Sequence, residues 1–206
     1  MDSGGRTRRS PRSDGERSRA AILSAAADLA SLEGLAGLTI GRLADRLEMS
    51  KSGVFAHFGS KEDLQLATIE AAQQTYAAEI VQPALAVPPG LGRVRALVEA
   101  FLSYSERRVF PGGCFFGTTI VEQASRPGRV RDRLARAYDD WVGVVALTLR
   151  QAQGAGELGA DADTEQLAFE IASLLTAGDW ARVLHDDPAP LHRARRAVHQ
   201  RLVSAG

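Results

Sequence analysis

Apolar residues recur at spacings of three and four along almost the whole chain. Ile22, Ala26, Leu29 and Ala30 mark one face of a first helix that Gly34 stops. Thr39 opens a short segment with Leu43 and Leu47 one turn apart, and Ser50 opens another carrying Val54 and Phe58. Ser60, with Asp63 three residues on, resembles a capping box. It starts a long run through Leu66, Ile69, Tyr76 and Ile80 that Pro83, Pro88, Pro89 and Gly90 break. Val94, Leu97, Val98, Phe101 and Leu102 form the next stripe, ended by Pro111-Gly112-Gly113. A short apolar piece over 114–124 follows, then a long stripe through Leu134, Trp141, Val145 and Leu149 with Arg131, Arg133, Arg136 and Asp140 opposite. Two last helices are predicted over about 164–184 and 189–203. No stretch sustains strand alternation. The pattern predicts an all-α fold of about nine helices, three short ones in front of a larger helical part.

The 206 residues, 45% hydrophobic, suffice for one large domain or two small ones and exclude a wholly disordered chain. The densest apolar run, Trp141 to Leu149, is far shorter than a membrane span, so no membrane partner is expected. The polar, arginine-rich start argues against a secretory signal, and the single cysteine, Cys114, against a disulfide or a Cys-based zinc site. A cytoplasmic setting is expected. Net charge is zero, but the first 20 residues hold six arginines against three acids. Residues 1–16 read as a flexible basic arm.

The front segment carries the chemistry. A helix-turn-helix needs two helices joined by a tight turn, the second free to enter a major groove. Residues 39–58 have that arithmetic. Ala44 is small where the helices cross, and Leu43, Leu47, Met49, Val54 and Phe58 supply the apolar contacts. Thr39 and Ser50 are good N-caps, each placing a helix start where a phosphate can sit. The second helix offers Lys51, Ser52, Gly53, Ala56 and His57, small or polar residues that let a backbone approach a groove. The only two lysines, Lys51 and Lys61, fall in this segment.

The run Leu43-Ala44, Met49 to Phe58, and above all His57-Phe58 followed by Ser60-Lys61-Glu62 and Leu64, resembles the DNA-binding domain of the TetR family of bacterial transcriptional regulators. The strong match covers residues 17–64. Gly113 to Phe116 and Arg126-Pro127-Gly128 resemble one subgroup's effector domain. The resemblance implies that residues 65–206 bind a ligand and dimerise. It implies that Thr39 and Arg42 face the DNA backbone, that Lys51 and Ser52 reach bases or phosphates, and that His57 and Lys61 clamp phosphates. Three residues depart from the family's habit. Phe55 replaces a DNA-facing tyrosine and lacks its hydroxyl. Glu48 replaces a turn glycine and puts an acid near DNA. Ala30 replaces a phenylalanine.

No GxxxxGK[ST], GxSxG or HExxH motif is present, and His192 and His199 lie two turns apart, so neither an enzyme, a cofactor nor a metal site is expected. The second part has what a ligand cavity needs. Phe101, Tyr104, Phe115, Phe116, Tyr138, Trp141, Phe169 and Trp180 are the aromatic candidates. Cys114, Thr118 and Glu122 are the polar handles, with Glu122 and Asp140 as a carboxylate pair. Leu167, Ile171, Leu174, Leu175, Val198 and Leu202 are the expected homodimer interface, packing as a four-helix bundle. The reading that results is a dimeric repressor released from a pseudo-palindromic operator by a small-molecule effector. An activator or ligand-independent regulator would share the front end, and a reporter assay separates them. A helical adaptor would show no DNA affinity.

Overall fold

The computed structural model describes residues 11–206, with side-chain surroundings from Gly15 onward. The helices are α1 (Pro11–Glu33), α2 (Ile40–Arg46), α3 (Lys51–Phe55), α4 (Lys61–Tyr76), α5 (Gln82–Leu85), α6 (Leu91–Glu106), α7 (Phe115–Gln123), α8 (Arg129–Gly154), α9 (Thr164–His185) and α10 (Ala189–Ser204). A π-helical turn, Ala77–Val81, joins α4 to α5 without a break. Among the described residues, counting that rod once gives nine helices, and no strand occurs. The first ten residues of the expected arm lie outside the described residues, and from Pro11 the backbone is already helical.

Capping residues set the starts. Thr39 Oγ1 accepts from the Arg42 amide at 3.3 Å, and Ser50 Oγ from the Gly53 amide at 3.0 Å. Ser60 Oγ accepts from the Asp63 amide at 3.0 Å and donates to the Asp63 carboxylate at 2.6 Å. Each such cap is worth about 1 kcal/mol, enough to define helices as short as α2 and α3. The rod corrects one expectation: helix continues past Pro83 to Leu85. Pro83 falls in the first turn after the π segment, where its missing N–H costs little.

Ile22, Leu35, Leu38, Leu43, Val54 and Leu64 are fully buried and hold the three front helices on the start of α4. Behind them α4 also packs on α8, and α1 packs on α7. A buried polar network ties α9 to the segment before α7. Asp179 accepts from Ser105 Oγ and from the Cys114 amide at 2.9 Å, and Arg182 Nε donates to Ser105 Oγ at 2.9 Å. With its polar atoms partnered, the ion pair of Asp179 and Arg182 is tolerated in the core and fixes one arrangement.

Candidate nucleic-acid interface and cavity

α2 and α3 form the two helices of the helix-turn-helix, and the second is shorter than expected, ending at Phe55 rather than Phe58. α2 ends at Arg46 with Leu47 as its C-cap, and Glu48 turns the chain with φ +53°, the left-handed conformation that a glycine adopts without strain. α3 then presents Lys51, Ser52 and Phe55 to solvent, with the Phe55 ring 50% exposed. Lys51 Cε lies 3.5 Å from where a Cβ on Gly41 would stand, so the lysine stem runs across that glycine. Gly53 has a local reason of its own. A Cβ there would stand 3.0 Å from Ser50 Oγ and crowd the cap. Thr39 and Ser50 are exposed caps, His57 is half-buried, and Phe58 is buried beneath the Arg19 guanidinium at 4.8 Å.

Two of the expected phosphate ligands are engaged within the chain. Arg42 is paired with Glu33 through both carboxylate oxygens. Lys61 Nζ donates to the Ala36 carbonyl at 2.9 Å. Sequence spacing does not reveal these contacts, because their partners sit on α1 and the loop that follows it.

Between α4, α7, α8 and α9 lies a cavity of about 530 Å³. Of the expected lining residues, Cys114, Phe116, Tyr138, Trp141 and Trp180 border it. Phe101, Tyr104 and Phe115 do not; they are buried behind its wall. Tyr76 joins the two layers, edge-on to Trp141 at 5.3 Å, to Tyr104 at 5.5 Å and to Phe116 at 5.6 Å. Phe101 stacks on Trp141 at 6.0 Å. Thr118 and Glu122 lie on the other side of α7, against the front domain, and Phe169 stands 54% exposed on the outside of α9. The carboxylate pair of Glu122 and Asp140 is thereby corrected, since only Asp140 borders the cavity. The polar end of the cavity comes from side chains that periodicity placed on solvated faces. Arg133 donates to the Gln73 side chain, whose amide in turn reaches Asp140 at 3.5 Å. Burial, and next the neighbouring Asp179, push the Cys114 thiol up to about 11, so it stays protonated at neutral pH. Burial likewise raises the Tyr76 and Tyr104 hydroxyls.

The expected dimer residues are corrected too. Leu167, Ile171, Leu175, Val198 and Leu202 are buried inside the single chain, and Leu174 is partly buried against the same core. α9 packs on α10 and α8, which takes this stripe inward. The apolar residues left outside are Phe169, Trp180, Val183 and Leu184 on α9 and Val203 on α10.

Comparison with known proteins gives a consistent picture. The sequence model for bacterial regulatory proteins of the tetR family matches residues 22–68, and that for the tetracyclin repressor-like C-terminal domain matches residues 90–198. The transcriptional regulator AcuR of Cereibacter sphaeroides is 28% identical over 203 residues, spanning 97% of this chain and 91% of that protein. A TetR transcriptional regulator from Chloroflexus aurantiacus shares the fold with a TM-score of 0.87 at 23% identity, over 94% of this chain and 98% of that one. AibR, solved in complex with isovaleryl coenzyme A and operator DNA, superposes with a TM-score of 0.63 at 21% identity, over 77% and 84% of the two chains.

Proposed function

From the premise that the chain belongs to the TetR family of transcriptional regulators, with a DNA-binding domain at its front, we propose that it is a dimeric cytoplasmic repressor. A small molecule entering the cavity would release it from a pseudo-palindromic operator. One observation carries the reading: a single helix serves both ends. α4 begins with Lys61 beside the helix-turn-helix, and its later residues Gln73 and Tyr76 border the cavity. A rise of about 1.5 Å per residue puts roughly 20 Å of rigid rod between those points. Tilting it changes the separation of two recognition helices that an operator requires near one helical turn, about 34–36 Å. The effector then needs to favour the released geometry by only about 1–3 kcal/mol to change DNA occupancy many-fold. AibR, of the same fold, was solved with both a ligand and operator DNA.

The test starts from random duplex DNA. Selection with the purified chain should enrich a pseudo-palindrome, and a reporter carrying that sequence should be silenced when the chain is present. No enriched sequence at low salt sinks the reading. A reporter that rises instead makes the protein an activator.

A further inference from the structure

The loop between α1 and α2 is held by two elements at once, through the backbone of two consecutive residues. Leu35 N–H donates to Glu122 Oε2 at 2.6 Å, and Ala36 N–H donates to Glu122 Oε1 at 2.8 Å. The carbonyls of the same residues are taken from the other side: Leu35 O accepts from Gln65 Nε2 at 2.8 Å, and Ala36 O from Lys61 Nζ at 2.9 Å. Thus α7 holds both donors and α4 holds both acceptors. Three residues on, Thr39 caps α2.

Gly34 makes room for the carboxylate. It has φ +74°, and a Cβ there would stand 2.3 Å from Glu122 Oε2. Neighbouring contacts add to the grip. Gly112 N donates to Ser31 Oγ at 3.1 Å, and Thr118 Oγ1 donates to Ser31 O at 3.3 Å. Glu122 also meets Gln123 Nε2 at 3.0 Å and Arg126 at 3.6 Å.

The opposite side of the same short helix is cavity wall. Phe116, Gly117, Ile120 and Val121 border the cavity. At about 100° per residue, Thr118 and Glu122 project roughly opposite to them. Gly117 is packed directly on the cavity's far wall: a Cβ there would stand 2.8 Å from Trp180 Nε1. A nine-residue helix moves as a unit, so a push on its cavity face moves Glu122.

We propose that Glu122 is a positioning residue for DNA binding. It carries the state of the cavity from α7 directly into the Leu35–Ala36 loop and so to α2, beside the route through α4. This rests on the repressor reading above. A carboxylate accepting two N–H groups forms strong charge-assisted bonds. Glu122→Gln leaves one acceptor and turns an NH₂ group toward a peptide N–H, cutting the link with little change in volume.

The experiment uses Gly117→Ala as a load on the cavity face, because its new methyl must displace Trp180 or α7. Operator affinity of the full chain is read by fluorescence anisotropy on DNA selected as above, for the parent, Gly117→Ala, Glu122→Gln and the double variant. The load should weaken binding about tenfold with Glu122 present and less than twofold in the Glu122→Gln background. A load effect that is absent, or equal in both backgrounds, overturns the proposal. A second measurement needs neither DNA nor the Glu122 variant: amide hydrogen exchange in Gly117→Ala. Protection at Leu35 and Ala36 should fall about tenfold while Leu64 and Thr68 in α4 keep theirs. Unchanged protection at Leu35 and Ala36 overturns it. Failure of the DNA selection bears on the repressor reading alone, because the exchange measurement still decides this one.

Discussion

Glu48 is the residue at which local chemistry and the required backbone disagree. Its φ of +53° belongs to the left-handed region, which costs a side-chain-bearing residue about 1–2 kcal/mol. Glycine removes that strain but adds about 0.5–1 kcal/mol of unfolded-state entropy. Glu48→Gly should therefore raise stability by roughly 0.5 kcal/mol, while Glu48→Ala, which keeps the Cβ, should not. It also removes a negative charge beside α3, so DNA should bind more tightly. Urea melts of both variants, with anisotropy on the selected operator, check this; a less stable Glu48→Gly would mean that the turn carries no strain for glycine to relieve. At this scale much was legible. The caps at Thr39, Ser50 and Ser60 are local chemistry within three residues, and the structure forms all three bonds. The unusual turn was signalled as well, by an acid where a glycine is customary.

Among the elements, α3 and the start of α4 carry the two lysines, and their surroundings separate their roles. Lys51 is exposed on α3. Lys61 is tied to Ala36 O, although its ammonium has further donors for a phosphate. Lys51→Ala should lower operator affinity, reduce the salt slope by about one, and leave stability unchanged. Lys61→Ala should show the same slope change and in addition lose roughly 0.5–1.5 kcal/mol of stability, the worth of one hydrogen bond. Salt titrations and denaturant melts on both variants test the difference; equal stability for the two would remove the structural role given to Lys61. Element order was legible because amphipathic periodicity reports which residues face inward. What the periodicity did not contain was long-range pairing. Arg42 with Glu33, Lys61 with Ala36 and Glu122 with Leu35 join segments that only the folded chain brings together. The passage of the rod through Pro83 was hidden for another reason: a π turn shifts the register just before the proline, and no residue type announces such a turn.

Taken as a whole, the molecule presents apolar side chains that its own core does not cover. The stripe on α9 and α10 that the sequence offered for a partner is covered by the chain's own core. α9 is apolar on more than one face, and periodicity alone does not say which face the remaining helices take. Leu167, Ile171 and Leu175 go inward, leaving Phe169, Trp180, Val183 and Leu184 outside, the last of them 78% exposed. Under the dimeric reading a regulator of two half-sites needs a two-fold partner, and this exposed apolar surface is where a second copy is expected to pack. The two kinds of residue make opposite predictions. Leu167→Ala removes core packing and should cost about 2–5 kcal/mol of stability. Leu184→Glu changes an exposed position, so the isolated chain should keep its helicity and its stability to within about 0.5 kcal/mol. Across a two-fold axis, however, it places two buried carboxylates in an apolar interface, one from each copy. Sedimentation at micromolar concentration should then find the parent as a dimer and Leu184→Glu as a monomer, and operator affinity should fall at least tenfold because one motif reads only half the site. A parent that sediments as a monomer removes the dimer altogether. A Leu184→Glu variant that stays dimeric and binds its operator as before moves the interface to another face of the molecule.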